Sequence, residues 1–296
     1  MTAPTARTGA HVLAEIASQP DCWESAAALA PDQRGLPEPG ERVAVVGCGT
    51  SWFMAMAYAA LREAAGHGET DAFTASEMPR TRRYDRLVAI TRSGTTTEIC
   101  DLLTALPTPS VVLTTGTELP AARLADAAVD LGFADERSVV QTRFATTSLA
   151  LLRAHLGEDL TAAVADARTA LRRTVTGLRD LQQVTFLGQG WTVGLAQEAA
   201  LKARESAQLW VEAYPATDYR HGPLAIAEPG RAVWSLGPLP DGLGPQVTAT
   251  GARVLGSDLD PLAELVVAQR FAVDRALAAG LDPDHPRNLT RAVLLP

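Results

Sequence analysis

Glu198, Lys202 and Glu205 fall at i, i+4 and i+7 in the segment 195–205, so on a helix all three share one face. From spacing alone, two carboxylates and an ammonium make an ordinary solvated surface first and a proton-handling set second. The compact run Arg220-His221-Gly222-Pro223-Leu224 shifts that balance, because acid/base work needs a carboxylate and an imidazole brought together by a turn. One carboxylate can take a proton from a carbon and return it to the next, through an enediol or enolamine. General base catalysis of that kind contributes typically about 10²–10⁴-fold.

Hydroxyl groups gather at two earlier places. The apolar run 42–46 leads into Gly47-Cys48-Gly49-Thr50-Ser51, and the run 85–91 ends in Thr91-Arg92-Ser93-Gly94-Thr95-Thr96-Thr97-Glu98. Each sets glycine and hydroxyls between a predicted strand and a predicted helix, where free N–H groups favour an anion. Thr95 with Glu98 also reads as a capping box, and both readings can hold at once. The first loop lacks the third glycine and the acidic strand end of a dinucleotide site, so Gly49, Thr50 and Ser51 suit a phosphate or a sugar hydroxyl better. Arg80, Arg82 and Arg83 form a basic loop whose plain reading is solvated surface.

A third opening, Val184 to Leu187 closed by Gly188-Gln189-Gly190, precedes the helix that carries the charged trio. This opening, with Gln197 to Glu205, Glu212-Ala213-Tyr214 and His221-Gly222-Pro223-Leu224, resembles the sugar isomerase (SIS) family. The likeness is narrower to the isomerase half of glutamine–fructose-6-phosphate transaminases and their glutaminase-free relatives, and it runs along nearly the whole chain.

The resemblance implies two SIS-type, doubly wound parallel-sheet α/β domains in tandem, each a flavodoxin-like three-layer sandwich. The implied base is Glu205. Lys202 would orient the carboxylates or stabilise an enolate oxygen, and Glu198 is either its structural partner or part of the site. His221 would open the sugar ring, reaching the active site of a neighbouring subunit in a homodimer. Thr91, Arg92, Ser93 and Thr96 match the family's phosphate loop, with Thr91-Arg92 replacing its usual Ser-Gln and Arg92 offering an added cation. Gln141 stands where a serine often contacts the sugar. Arg291 stands where the transaminase has a tail lysine, and an arginine stays protonated and forms no imine.

The elements that must hold these residues follow from pattern and length. With 296 residues, 47% hydrophobic and 20% charged, the chain suits a globular enzyme of about two domains, each able to bury its own core. The net charge of -8 argues against nucleic acid as a partner. No apolar run is long enough for a membrane span, and residues 1–8 show no leader segment. Cys22, Cys48 and Cys100 read as free thiols in a reducing compartment, so a cytoplasmic protein is expected.

The expected plan is a helix and linker over 1–40, a first domain over 41–157, a connecting and dimer-forming helix over 158–181, a second domain over 182–280, and a tail over 281–296 that closes the site. A helix is expected to start within Glu136–Thr142, and only a short crossover fits the glycine- and proline-rich stretch 238–250. Thr2 and the lack of a preceding cysteine domain exclude glutamine as nitrogen source. The reading is then a phosphosugar isomerase or amino-sugar phosphate deaminase needing no metal and no cofactor. A deglycase of sugar–amino acid 6-phosphates and a non-catalytic sugar-phosphate sensor are the alternatives.

Overall fold

A computed structural model of the protein describes residues 8–295; residues 1–7, which carry most of the leader-segment reading, and Pro296 lie outside them. Helices α1 (Ala10–Ala17) and α2 (Gln19–Leu29) come first, with Pro20 placed in the first turn of α2, where its missing N–H costs nothing. The first sheet is then built from β1 (Val43–Gly47), α3 (Thr50–Ala64), β2 (Thr70–Thr74), β3 (Arg86–Ile90), α4 (Thr97–Ala105), β4 (Ser110–Thr114), α5 (Pro120–Leu124) and β5 (Ala127–Asp130). Helices α6 (Arg143–His155) and α7 (Thr161–Ala170) lead to the second: β6 (Gln183–Gly188), α8 (Thr192–Ala207), β7 (Val211–Pro215), β8 (Arg231–Leu236), α9 (Leu243–Ala249), β9 (Arg253–Leu255) and α10 (Pro261–Ala278).

All strand pairs are parallel, and the central strands β1 and β6 are buried along their whole length, as expected where helices cover both faces. The first sheet runs β2-β1-β3-β4-β5 and the second β7-β6-β8-β9. In the first, the chain leaves β1 to one side for β2 and returns to the other side for β3. A crevice therefore opens at the carboxyl ends of β1 and β3, the place where open α/β sheets bind ligands.

The two sheets do not keep separate cores. One buried cluster joins Val45 and Val88 of the first sheet to Val184, Phe186 and Trp234 of the second, through Met54, Tyr58 and Leu195. The reason is a close helix contact: a Cβ on Gly194 of α8 would lie 2.4 Å from the Phe53 carbonyl of α3, so only glycine admits this approach. Trp234 stacks on Phe186 at 5.7 Å between ring centres, inside the shared core.

Several expectations need correction. The stretch Glu136–Thr142 is not helical; α6 starts at Arg143, because the Glu136 carboxylate accepts from the Thr142 and Arg143 amides and fixes the start there. The helix expected over 158–181 is only α7, Thr161–Ala170, followed by a short 3-10 turn over Thr176–Leu178. Its buried side, Ala163, Val164, Ala167 and Ala170, packs within the chain against α2 and α10. The capping box is not formed: the helix cap is Thr96, its side chain makes no capping bond, and one Glu98 oxygen is buried without a partner. Strand β7 was not foreseen. Among the described residues no helix is long and apolar enough to cross a membrane, and all three cysteines are free.

Candidate active site

A cavity of about 210 Å³ occupies the crevice between β1 and β3. Gly49, Thr50 and Ser51 reach it from the loop after β1, and Thr91, Arg92, Ser93 and Thr96 from the loop after β3. Gln141 comes from the loop before α6, Glu205 from α8 and Arg291 from the tail. Gly94 turns the second loop with φ 61°, and a Cβ there would sit 2.6 Å from that of Leu119. The turn brings the Ser93 and Thr96 hydroxyls within 3.3 Å of each other. The Thr95 amide donates to Ser93 Oγ at 3.3 Å.

The charged trio on α8 is buried, not solvated. Lys202 Nζ lies 2.5 Å from Glu205 Oε2, 3.4 Å from Glu198 Oε1 and 3.0 Å from Thr50 Oγ1. Glu198 is wholly buried, and neither of its oxygens has a well-formed hydrogen bond. Burial above all pushes its pKa up to about 8, against the attraction of Lys202 and with added repulsion from Glu205. Burial works against the Lys202 charge, but Glu198 and Glu205 outweigh it and hold the lysine above its ordinary value. At neutral pH the arrangement is therefore a protonated Glu198 beside one ammonium–carboxylate pair of Lys202 and Glu205.

Arg92 lines the cavity, yet its guanidinium is turned to protein groups. It bonds Glu136 at 3.3 Å and the carbonyls of Ser138, Val139 and Arg291 at 3.2, 3.1 and 3.3 Å. Arg291 in turn donates to the Glu136 carbonyl and pairs with Asp135. Glu136 is fully buried; burial raises its pKa, with Arg92 opposing and Glu15 adding to the rise. The tail is thus strapped across the cavity mouth. Thr97 of α4 also donates its amide to the Val293 carbonyl at 3.3 Å.

His221 is not brought to this cavity. It ends a short 3-10 turn, Asp218–His221, and is exposed. Sequence reasoning missed Glu15, Glu136 and Asp284. Glu15 accepts from the Arg137 amide at 2.5 Å and from the Ser138 hydroxyl, and Asp284 caps α1 by accepting from the His11 and Val12 amides at 3.1 and 2.8 Å. The one available signal was that α1 opens with Gly9 and offers no capping side chain of its own.

No family model matches the chain. It is 28% identical over 294 residues to the glutamine–fructose-6-phosphate aminotransferase (isomerizing) of Sulfurisphaera tokodaii, covering 86% of this chain and 50% of that protein. The chain belongs to the sugar isomerase (SIS) family. It spans about half the length of the curated relatives that match it along most of its length. Its fold agrees with other SIS structures. A glucosamine-6-phosphate deaminase from Thermotoga maritima superposes with a TM-score of 0.80 at 22% identity, over 96% of this chain and 99% of that one. The C-terminal domain of a glucosamine-fructose-6-phosphate aminotransferase from Francisella tularensis gives 0.80 at 21%, over 97% and 100%.

Proposed function

We propose that this SIS-family chain is an aldose–ketose isomerase or deaminase acting on a hexose or amino-sugar 6-phosphate. The observation that carries the reading is that Glu205, held by buried Lys202, borders the same cavity as the hydroxyl loop Thr91–Thr96. The phosphate sits at that loop and at Gly49–Ser51, and the open-chain sugar extends from there towards Glu205. Glu205 carries the proton between the first two carbons. Lys202 and Thr50 fix the carboxylate, so its orientation is set before substrate arrives. With Glu198 protonated, the lysine charge is not divided between two carboxylates.

The two sheets belong, in this reading, to tandem SIS domains over 41–157 and 182–280, and the tail 281–296 acts as cover. His221, exposed in one chain, serves the active site of a second copy, where it assists ring opening. Arg291 gives the tail a fixed charge but no imine-forming amine. Incubating the protein with a panel of phosphosugars, and assaying ammonia and ketose separately, tests the reading. Turnover of none of them, with no exchange of the C2 proton, would leave only a binding role.

A further inference from the structure

Glu205 borders two spaces. Beyond the hydroxyl-lined cavity, it and Leu289 of the tail also line an open groove of about 550 Å³. That groove is walled by Leu201, Leu209, Leu289 and the indole of Trp210, with Arg204 and Arg287 at its sides. Trp210 is 82% exposed, a large apolar surface left without cover. Among the described residues Arg204 makes a single long bond, 3.4 Å to the Val211 carbonyl, and neither arginine pairs with a carboxylate. Gln208 and Asn288, with φ 53° and 64°, are the non-glycine residues of positive φ among those described, and both stand on this groove. Such backbone is uncommon outside glycine and persists where surroundings or function demand it.

We propose that the groove is a second subsite, which takes the non-sugar part of a conjugated substrate: an apolar carboxylic acid joined through its amine to the carbon next to the one bearing the ketone. The proposal rests on the phosphosugar reading above. Apolar walls match an aliphatic or aromatic body, and two unpaired guanidiniums match a carboxylate. Continuity through Glu205 places the junction between the two parts at the base. A second copy of the chain would need a broad complementary face, about 800 Å² on each partner, and no acidic counterpart to the two arginines is needed when the ligand supplies the carboxylate itself.

The chemistry then balances with water alone. Glu205 takes a proton from the amine-bearing carbon and returns it to the former carbonyl carbon, while the amine proton passes to the oxygen there. The product is an imine at the terminal carbon. Water adds across it and the carbon–nitrogen bond breaks. The amine leaves with the protons, an aldose phosphate remains, and nothing is oxidised or reduced overall.

The test uses N-(1-deoxyfructos-1-yl)leucine 6-phosphate, fructose 6-phosphate and the unphosphorylated conjugate, titrated calorimetrically into the wild type and into Trp210→Ala/Arg287→Ala. Both side chains are exposed, so an unchanged melting temperature is expected and checks folding. The conjugate should bind about tenfold or more tightly than fructose 6-phosphate. The double variant should lose that advantage and keep its affinity for fructose 6-phosphate. Tight fructose 6-phosphate binding with no gain from the conjugate, or a gain that survives in the variant, sinks the subsite alone. Failure of both phosphorylated ligands to bind removes the phosphosugar reading and the subsite with it. Sedimentation that shows the variant dissociating from a dimer would assign the groove to a second copy and overturn the proposal.

Discussion

Lys202 Nζ stands 3.0 Å from Thr50 Oγ1, although 152 residues separate the two along the chain. Lys202 belongs to the helix of the second sheet and Thr50 to the first turn of the helix that follows β1. The contact couples the half that carries charge to the half that offers hydroxyls and free amides. It exists only because Gly194 lets α8 lie against α3.

Glu205→Gln keeps shape and hydrogen bonding but removes the base. Binding of phosphosugars should change by less than about twofold, while exchange of the C2 proton with deuterated solvent should fall by roughly 10²–10⁴. Proton NMR during incubation reads both. Undiminished exchange would exclude Glu205 as the base.

Ser93→Ala should weaken phosphorylated sugars by about 1 kcal/mol, a typical loss for one hydrogen bond, and leave unphosphorylated sugars unaffected. The loop lies between β3 and α4, where an anion is favoured. Equal losses for both kinds of sugar would mean that the loop holds some other group.

Glu198 links stability to pH. Its folded pKa, about 8, lies above the ordinary value of 4.5, so between these limits the folded state holds a proton that the unfolded state has released. Its contribution is fully present below about pH 4.5 and is lost as pH rises through about 8. Glu198→Gln, a neutral shape mimic, should flatten the fall in melting temperature between pH 5 and 8 by a readily measured amount, several degrees for about 1–2 kcal/mol. Parallel curves for variant and wild type would show that Glu198 titrates normally.

Arg291→Ala tests the tail strap. Loss of its bonds to Asp135 and the Glu136 carbonyl should loosen the segment over the cavity, raising KM several-fold and exposing 285–295 to limited proteolysis, by about 1–3 kcal/mol in the closed state. Borohydride added during turnover should trap no sugar on the protein, since arginine forms no imine. Unchanged kinetics would retire the strap, and an adduct at Lys202 would overturn the imine-free course.

The features legible in the sequence were the local ones. Val43–Val46 and Val184–Leu187 show as strands because buried parallel strands are continuous apolar runs, and the glycine-hydroxyl loops show because their chemistry is contiguous. The shared face of Glu198, Lys202 and Glu205 follows from helical spacing, but its burial does not: that depends on Thr50 and α3, far away in sequence. The same holds for Arg92. Its spacing offered a cation to the phosphate loop, whereas the fold supplies Glu136 and three carbonyls that no local pattern announces. Strand β7 was hidden because Val211–Pro215 is short and only partly apolar, and it sits at the sheet edge.

Asp284 supplies the cap that α1 lacks, across 272 residues from the Val12 amide. During synthesis α1 leaves the ribosome first and the residue that completes it comes almost last. The first helix must therefore wait, uncapped, while both sheets are made, and its docking is the closing event of folding rather than its seed. A nascent chain halted before residue 284 would hold its sheets with a frayed α1, and protection of the His11 and Val12 amides from hydrogen exchange would arrive only with the tail.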